Sequence, residues 1–195
     1  MEDTARDLNA RIAQRVRELR AARGLSLEAL AARSGVSRSM ISVIERGESS
    51  PTAVVLERLA AGLGVALASL FDAPGPKAEP VARAADQPKW RDPSSGYVRR
   101  NVSPPSFGSP IQIVEVLFPA GARVAYENGP RAVRLHQQVW VLDGCIDVAV
   151  GDDRHRLRTG DCLALVLDRP TAFHNPTRKA ARYAVVITTD PEARR

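Results

Sequence analysis

The chain has 195 residues, 44% of them hydrophobic and 26% charged, with 28 Lys+Arg against 22 Asp+Glu for a net charge of +6. Domains commonly run about 100–150 residues, so there is chain here for one or two small cores. The composition is globular and excludes a disordered chain, a collagen-like repeat and an integral membrane protein, since no apolar run approaches the ~20 residues a span needs. The acidic start Met1-Glu2-Asp3 lacks the basic flank and apolar stretch of a secretory signal, so the expected location is cytoplasmic.

Cys145 and Cys162 are 17 residues apart with no CxxC, which excludes a disulfide scaffold and argues against a cysteine-held zinc. The positive charge is spread thinly: 10 basic against 9 acidic residues in 1–75, 6 against 3 in 76–110, and 12 against 10 in 111–195. Such a balance is compatible with nucleic-acid binding but does not by itself point to it, because local clustering on one face is what matters.

The first seventy residues read as helices. Leu8, Ile12, Val16 and Leu19 fall on one face of a first helix that Gly24 stops. Ser26 reads as the N-cap of a short second helix ended by Gly35, and Ser37 as the cap of a third that ends near Gly47. Ser50-Pro51-Thr52 opens a fourth, with Pro51 suited to a first helical turn, and Leu67, Leu70 and Phe71 suit a short fifth. From Asp72 to Pro110 prolines recur among Gly, Ser and charge, the pattern of a linker that includes at most an entry strand. Short β-type runs follow at Ile111–Phe118, Val139–Leu142, Ile146–Val150, Arg156–Leu157, Cys162–Leu167 and Tyr183–Thr188. Spacing of roughly 8–12 residues between such runs indicates an antiparallel sandwich or barrel.

Two short helices meeting steeply need a small residue at the crossing, here Ala31, and a residue tolerant of left-handed geometry in the turn, here Gly35. With Val36, Ile41 and Ile44 set to pin the third helix, the stretch Gly35-Val36-Ser37-Arg38-Ser39-Met40-Ile41-Ser42 and Ile44-Glu45-Arg46-Gly47 resembles the helix-turn-helix domain of the phage-repressor-like XRE family. The resemblance covers roughly residues 6–71. It implies an all-α, lambda-repressor-like domain of five helices whose third helix enters the major groove by its N-terminal end. Arg38, Ser39, Ser42 and Val43 would then meet base edges, Arg38 by chelating guanine O6 and N7 and Val43 by touching a thymine methyl. Ser37 and Arg46 would meet phosphate. The family often places a Gln at the start of the second helix; the residue here is Leu27. Glu45 matches a position that pairs with an arginine of the first helix, here Arg20, and is assigned to the scaffold. Because one such helix reads few base pairs, the resemblance also implies a homodimer on a pseudo-palindromic operator in double-stranded DNA.

Residues 111–190 resemble a cupin, an all-β double-stranded β-helix or jelly-roll barrel, through Pro119-Ala120-Gly121-Ala122, Val139-Trp140-Val141-Leu142-Asp143-Gly144, Leu157-Arg158-Thr159-Gly160-Asp161 and Phe173-His174-Asn175-Pro176. Metal-binding cupins hold an ion with three histidines and a glutamate. Aligned on Gly121, Gly144 and Gly160, those positions fall here on Glu127, Gly129, Gln137 and Thr171, so no metal or other cofactor is expected. His136 and His174 lie near but out of register, and a one-residue shift in a strand turns a side chain to the opposite face. Glu127 is the one candidate for acid-base work, and no catalytic residue is assigned. The barrel reads instead as a sensor pocket for a small-molecule effector, drawn from Tyr126, Asn128, Arg134, Gln137, Trp140, Thr171, Phe173 and Asn175. An inward Arg134 would favour a carboxylate. The cysteines read as small buried hydrophobes, with redox sensing as the alternative.

The expected organisation is therefore a DNA-binding domain over 1–73, a Pro-rich linker over 74–104 and a cupin sensor over 105–190 of a transcriptional regulator. Two other classes stay open: a cupin-type enzyme with an autoregulatory DNA-binding head, and an antitoxin-like DNA-binding protein that holds a protein partner.

Overall fold

The computed structural model describes residues 2–71, 79–105, 107, 109–128 and 134–189, with side chains from residue 8 onward. These divide into two units, residues 1–81 with 104–107 and residues 82–103 with 108–195.

In the first unit, α1 (Glu2–Ala22) buries Leu8, Ile12, Val16 and Leu19, the stripe its spacing predicts. α2 (Leu27–Ser34) starts where Ser26 Oγ accepts from the Ala29 N–H at 3.1 Å and stops at Gly35, whose φ of +67° only glycine adopts without strain. α3 (Arg38–Glu45) starts where Ser37 Oγ accepts from the Met40 N–H at 3.2 Å, and it buries Ile41, Ile44 and Glu45. α4 (Ala53–Leu63) is capped by Thr52, whose hydroxyl accepts from the Val55 N–H, so Pro51 sits just ahead of the cap and not in the first turn. The expected fifth helix is a 3-10 helix, Leu67–Phe71, leaving four α-helices. It still closes the core with Leu67, Leu70 and Phe71. A tight crossing of α2 and α4 lies at Ser34 and Gly62, where a Cβ on Gly62 would come within 2.9 Å of the Ser34 Cβ, and Ala31 of α2 is half-buried.

The second unit is built from β1 (Lys89–Arg91), β2 (Val98–Asn101), β3 (Ile111–Phe118), β4 (Arg123–Tyr126), β5 (Leu135–Asp143), β6 (Cys145–Val150), β7 (Asp153–Arg158), β8 (Cys162–Val166), β9 (Thr171–His174) and β10 (Ala181–Thr189). All pairings are antiparallel, in a six-stranded sheet ordered β1-β2-β3-β10-β5-β8 and a four-stranded sheet ordered β4-β9-β6-β7. This is the jelly-roll architecture of a cupin. β1 and β2 lie in the proline-rich span read as linker: Pro88 and Pro93 flank β1, and proline at strand ends leaves the ladder intact. β4 and β9, of 4 residues each, are too short to stand out in the sequence.

Alternation sends Val114, Val116 and Phe118 of β3, Val139 and Val141 of β5, and Tyr183 and Val185 of β10 into the interior. An aromatic chain crosses it. Trp90, Tyr97, Phe118, Tyr183, Phe173 and Tyr126 follow one another with ring centroids 5.9, 6.1, 6.0, 6.0 and 6.2 Å apart, edge to face except for the stacked pair Phe173 and Tyr183. Such contacts add about 0.5–1.5 kcal/mol each beyond the area they bury.

Burial pushes the Tyr183 phenol far above its ordinary value, with the nearby Tyr97 raising it further and Arg99 opposing. The folded state therefore keeps a proton that the unfolded chain loses near pH 10, so this contribution is complete below that pH and decays above it. Denaturant titrations across the alkaline range should show stability falling by up to about 1.4 kcal/mol per pH unit above pH ~10, with a shallower fall in Tyr183→Phe; identical slopes would remove Tyr183 as the cause.

Candidate nucleic-acid interface and ligand chamber

An eight-residue helix buries little on its own, and α3 is held from one side. Glu45, in its last turn, is buried and takes both oxygens to Arg20 of α1, Nε at 2.6 Å and Nη2 at 2.8 Å. Arg20 also donates to the Leu25 carbonyl at 2.9 Å, tying α1, the α1–α2 turn and α3 together. This is the scaffold pairing expected of Arg20 and Glu45.

The opposite face of α3 is left to solvent. Ser37, Arg38, Ser39 and Arg46 are exposed, and Ser42 and Val43 are half-buried. Met40, at the edge of that face, is 44% exposed. Both arginines are held by carboxylates within the unit. Arg38 Nε donates to Glu28 of α2, and Arg46 donates to both oxygens of Glu48 at 2.8 and 2.7 Å and to Ser42 Oγ. The Glu28 carboxyl is lowered from its ordinary value, chiefly because a backbone N–H donates to it, then because of Arg38 and Ser26. Ser37 is a cap whose hydroxyl also lies 3.1 Å from Ser39 Oγ.

Of the residues expected to line the barrel, Gln137, Thr171, Phe173 and Asn128 are buried, and Tyr126 is half-buried. Asn128 Nδ2 donates to Thr171 Oγ1 at 2.9 Å, and the hydroxyls of Tyr126 and Tyr97 lie 3.3 Å apart. Gln137 follows the inward rhythm of β5, opposite Leu165 and Ile187. The other three do not join them. Trp140, one step out of that rhythm, is 49% exposed on the outer face, and Arg134 is exposed. Asn175 is fully buried but spent on the chain itself: Nδ2 donates to the carbonyls of Phe118, Pro119 and Lys179, and Oδ1 accepts from the N–H and hydroxyl of Thr177. Among the described residues the buried cation of the unit is Arg99 of β2, on the row Trp90, Arg99, Val116, Tyr183, with Nε donating to Asn101 Oδ1 at 3.3 Å. It sits in the supposed linker, where an Arg-Arg doublet reads as solvated.

Of the four aligned metal positions, Gly129 lies outside the described residues, Glu127 is exposed, and Gln137 and Thr171 are buried. Among the described residues no group of three or more His, Cys, Asp and Glu could hold a metal ion. His136 alternates with inward Gln137, and His174 faces outward with Nδ1 3.8 Å from Asp147 Oδ2. Cys145 is half-buried and Cys162 exposed, so the latter is not the buried hydrophobe expected. No helix among the described residues is long and apolar enough to cross a membrane.

The helix-turn-helix family HTH_3 matches residues 16–70. The HTH-type transcriptional regulator SutR of Escherichia coli (strain K12) is 29% identical over 187 residues, 96% of this chain and 97% of SutR. The regulator y4dJ of Sinorhizobium fredii (strain NBRC 101917 / NGR234), described as an uncharacterized HTH-type transcriptional regulator, is 39% identical over 59 residues, 30% of this chain and 77% of that protein. Among solved structures, an HTH_3 family transcriptional regulator from Vibrio cholerae has the same fold, with a TM-score of 0.76 at 24% identity over 94% of this chain and 98% of its own. A helical reader with an exposed third helix, joined in one chain to a cupin barrel, defines a class of transcriptional regulator. This chain belongs to the HTH_3 helix-turn-helix family of DNA-binding transcriptional regulators.

Because Arg38 is tethered by Glu28, the pair can be separated experimentally. Arg38→Ala should cost about 1–3 kcal/mol and relax one base position. Glu28→Gln should raise affinity for random duplex, since it removes a negative charge beside α3. Equal loss for Arg38→Ala on every sequence would make Arg38 a phosphate contact.

Proposed function

We propose that this regulator binds a pseudo-palindromic operator as a homodimer in the cytoplasm, reads it with α3, and adjusts its affinity to a small molecule held in the cupin barrel. The functional division runs as residues 1–73 for DNA, 74–104 for a connection that also lends β1 and β2 to the six-stranded sheet, and 105–190 for sensing. The observation that carries the reading is the two-faced third helix: Ile41, Ile44 and Glu45 are buried while Arg38, Ser39, Met40 and Arg46 are exposed. Arg38, Ser39, Ser42 and Val43 meet base edges, and Ser37 and Arg46 meet phosphate. Tyr126, Asn128, Gln137, Thr171 and Phe173 supply the effector chamber, with Arg99 as its charge. The chamber's amides and hydroxyls recognise but do not shuttle protons near neutral pH, which supports a binding role over catalysis. An effector can shift DNA affinity only by its differential affinity for the two states of the regulator.

The outer face of the six-stranded sheet supports the second copy as its partner. Ile111, Ile113 and Leu117 of β3 are exposed at 48, 38 and 47%, and Trp140 lies on the same face across Ala184. Exposed apolar residues grouped in this way mark interaction sites, and a single reading helix needs a twin.

Selection of bound fragments from the source genome should return a short palindrome, with affinity falling steeply as salt rises because phosphate contacts release counterions. Weak binding without sequence enrichment would refute a sequence-specific reader. Trp140→Arg should shift the protein from dimer to monomer in light scattering and weaken operator binding with it; an unchanged dimer would exclude this face.

A further inference from the structure

The outer face of the four-stranded sheet carries a hollow that neither DNA reading nor the barrel interior uses. Alternation sends Val124, Val148 and Phe173 inward, where all three are buried, and their strand neighbours outward. In register across β4, β9, β6 and β7 run Arg123, His174, Asp147 and Arg156, and in the adjacent outward row Ala125, Ala172, Ala149 and Arg154. Alanine is depleted in strands, and Ala149 and Ala172, side by side on a solvent-facing sheet, leave a floor below the long side chains around them. The resulting cavity has a volume of about 420 Å³, inside the ~300–1,000 Å³ range of small-molecule sites.

Its charge is uneven. Asp147 is committed to Arg156, which donates to its two oxygens at 2.7 and 3.0 Å, and the Arg156 charge is thereby neutralised. Arg123 and Arg154 have no acidic partner among the described residues, and both line the cavity together with His174. Arg123 stands on β4 and Arg154 on β7, at opposite edges of the sheet, and two guanidiniums without acidic partners at either end of an apolar floor favour an anionic ligand. A continuous polyanion is the poorer fit, because the carboxylate of Asp147 stands in the middle of the row.

We propose that this hollow is a second ligand site, on the outside of the barrel, for a small molecule that carries a phosphate-type dianion. Arg123 and Arg154 hold the anionic oxygens, the alanine floor takes the apolar part of the molecule, and the paired Asp147 and Arg156 form one wall. The site is separated from the barrel interior by the thickness of the sheet, so the two ligands do not compete for the same side chains.

The test is calorimetric titration of the full-length protein with inorganic pyrophosphate at low salt, with unfolding midpoints confirming that each variant is folded. One saturable site per chain is expected, weakened about tenfold or more by Arg123→Ala and by Arg154→Ala. Ala149→Leu fills the floor without changing charge and should weaken binding too. Arg158→Ala, on the same strand but outside the cavity, should leave it unchanged. Absence of saturable binding overturns the site, and so does binding that the arginine variants leave intact. A loss common to all three arginine variants, with Ala149→Leu silent, also overturns it by reducing the effect to surface charge. If Arg123→Ala and Arg154→Ala weaken random duplex and leave pyrophosphate binding alone, the face belongs to nucleic acid and the proposal fails.

Discussion

A helix of eight residues has too few internal hydrogen bonds to hold itself in water, so α3 exists as a reading surface only because something else fixes it. That anchor is the two-oxygen pairing of buried Glu45 with Arg20, backed by Ile41 and Ile44 in the core. A buried carboxylate stripped of its partner is costly, on the order of 3–5 kcal/mol when such a pair is broken from one side. The pair therefore does more for orientation than a third apolar contact would, since its geometry sets the rotation of α3 about its own axis. With that rotation set, which residues face solvent follows from the helical repeat.

The β unit obeys the same one-sided logic with a period of two. Each sheet has an inner face that builds the aromatic chain from Trp90 to Tyr126 and an outer face whose chemistry is free to differ. The six-stranded sheet uses its outer face for apolar side chains such as Ile111, Ile113 and Trp140, and the four-stranded sheet uses its own for arginines over alanines. One residue of register separates these roles, which is why Gln137 and Trp140, three apart on one strand, end on opposite sides.

The arginines of the helical unit add a further element of control. Arg38 and Arg46 are already engaged by Glu28 and Glu48, so under the proposed reading each would exchange a carboxylate for a nucleic-acid contact instead of simply gaining one. Exchange of this kind costs affinity everywhere but least where the new partner is a well-placed base edge, and it thus favours specificity over strength.

The breaks after α1, α2 and α3, the Ser26 and Ser37 caps, the left-handed Gly35 and the Arg20–Glu45 pair were legible in the sequence, because each is set by residues a few positions apart or by a motif of definite spacing. Strand β3 was legible to the residue for the same reason. β1 and β2 were legible only as an entry strand within a linker, since proline content argues against strands until pairing with β3 supplies the hydrogen bonds. Not legible were the outward turn of Trp140, the closed hydrogen-bond cage of Asn175 and the burial of Arg99, each of which depends on partners tens of residues away. Periodicity and capping are local chemistry, and the sequence by itself determined them: a helical DNA reader followed by a β barrel. Which face of each strand looks inward depends on register between distant segments, and only the tertiary structure decided that.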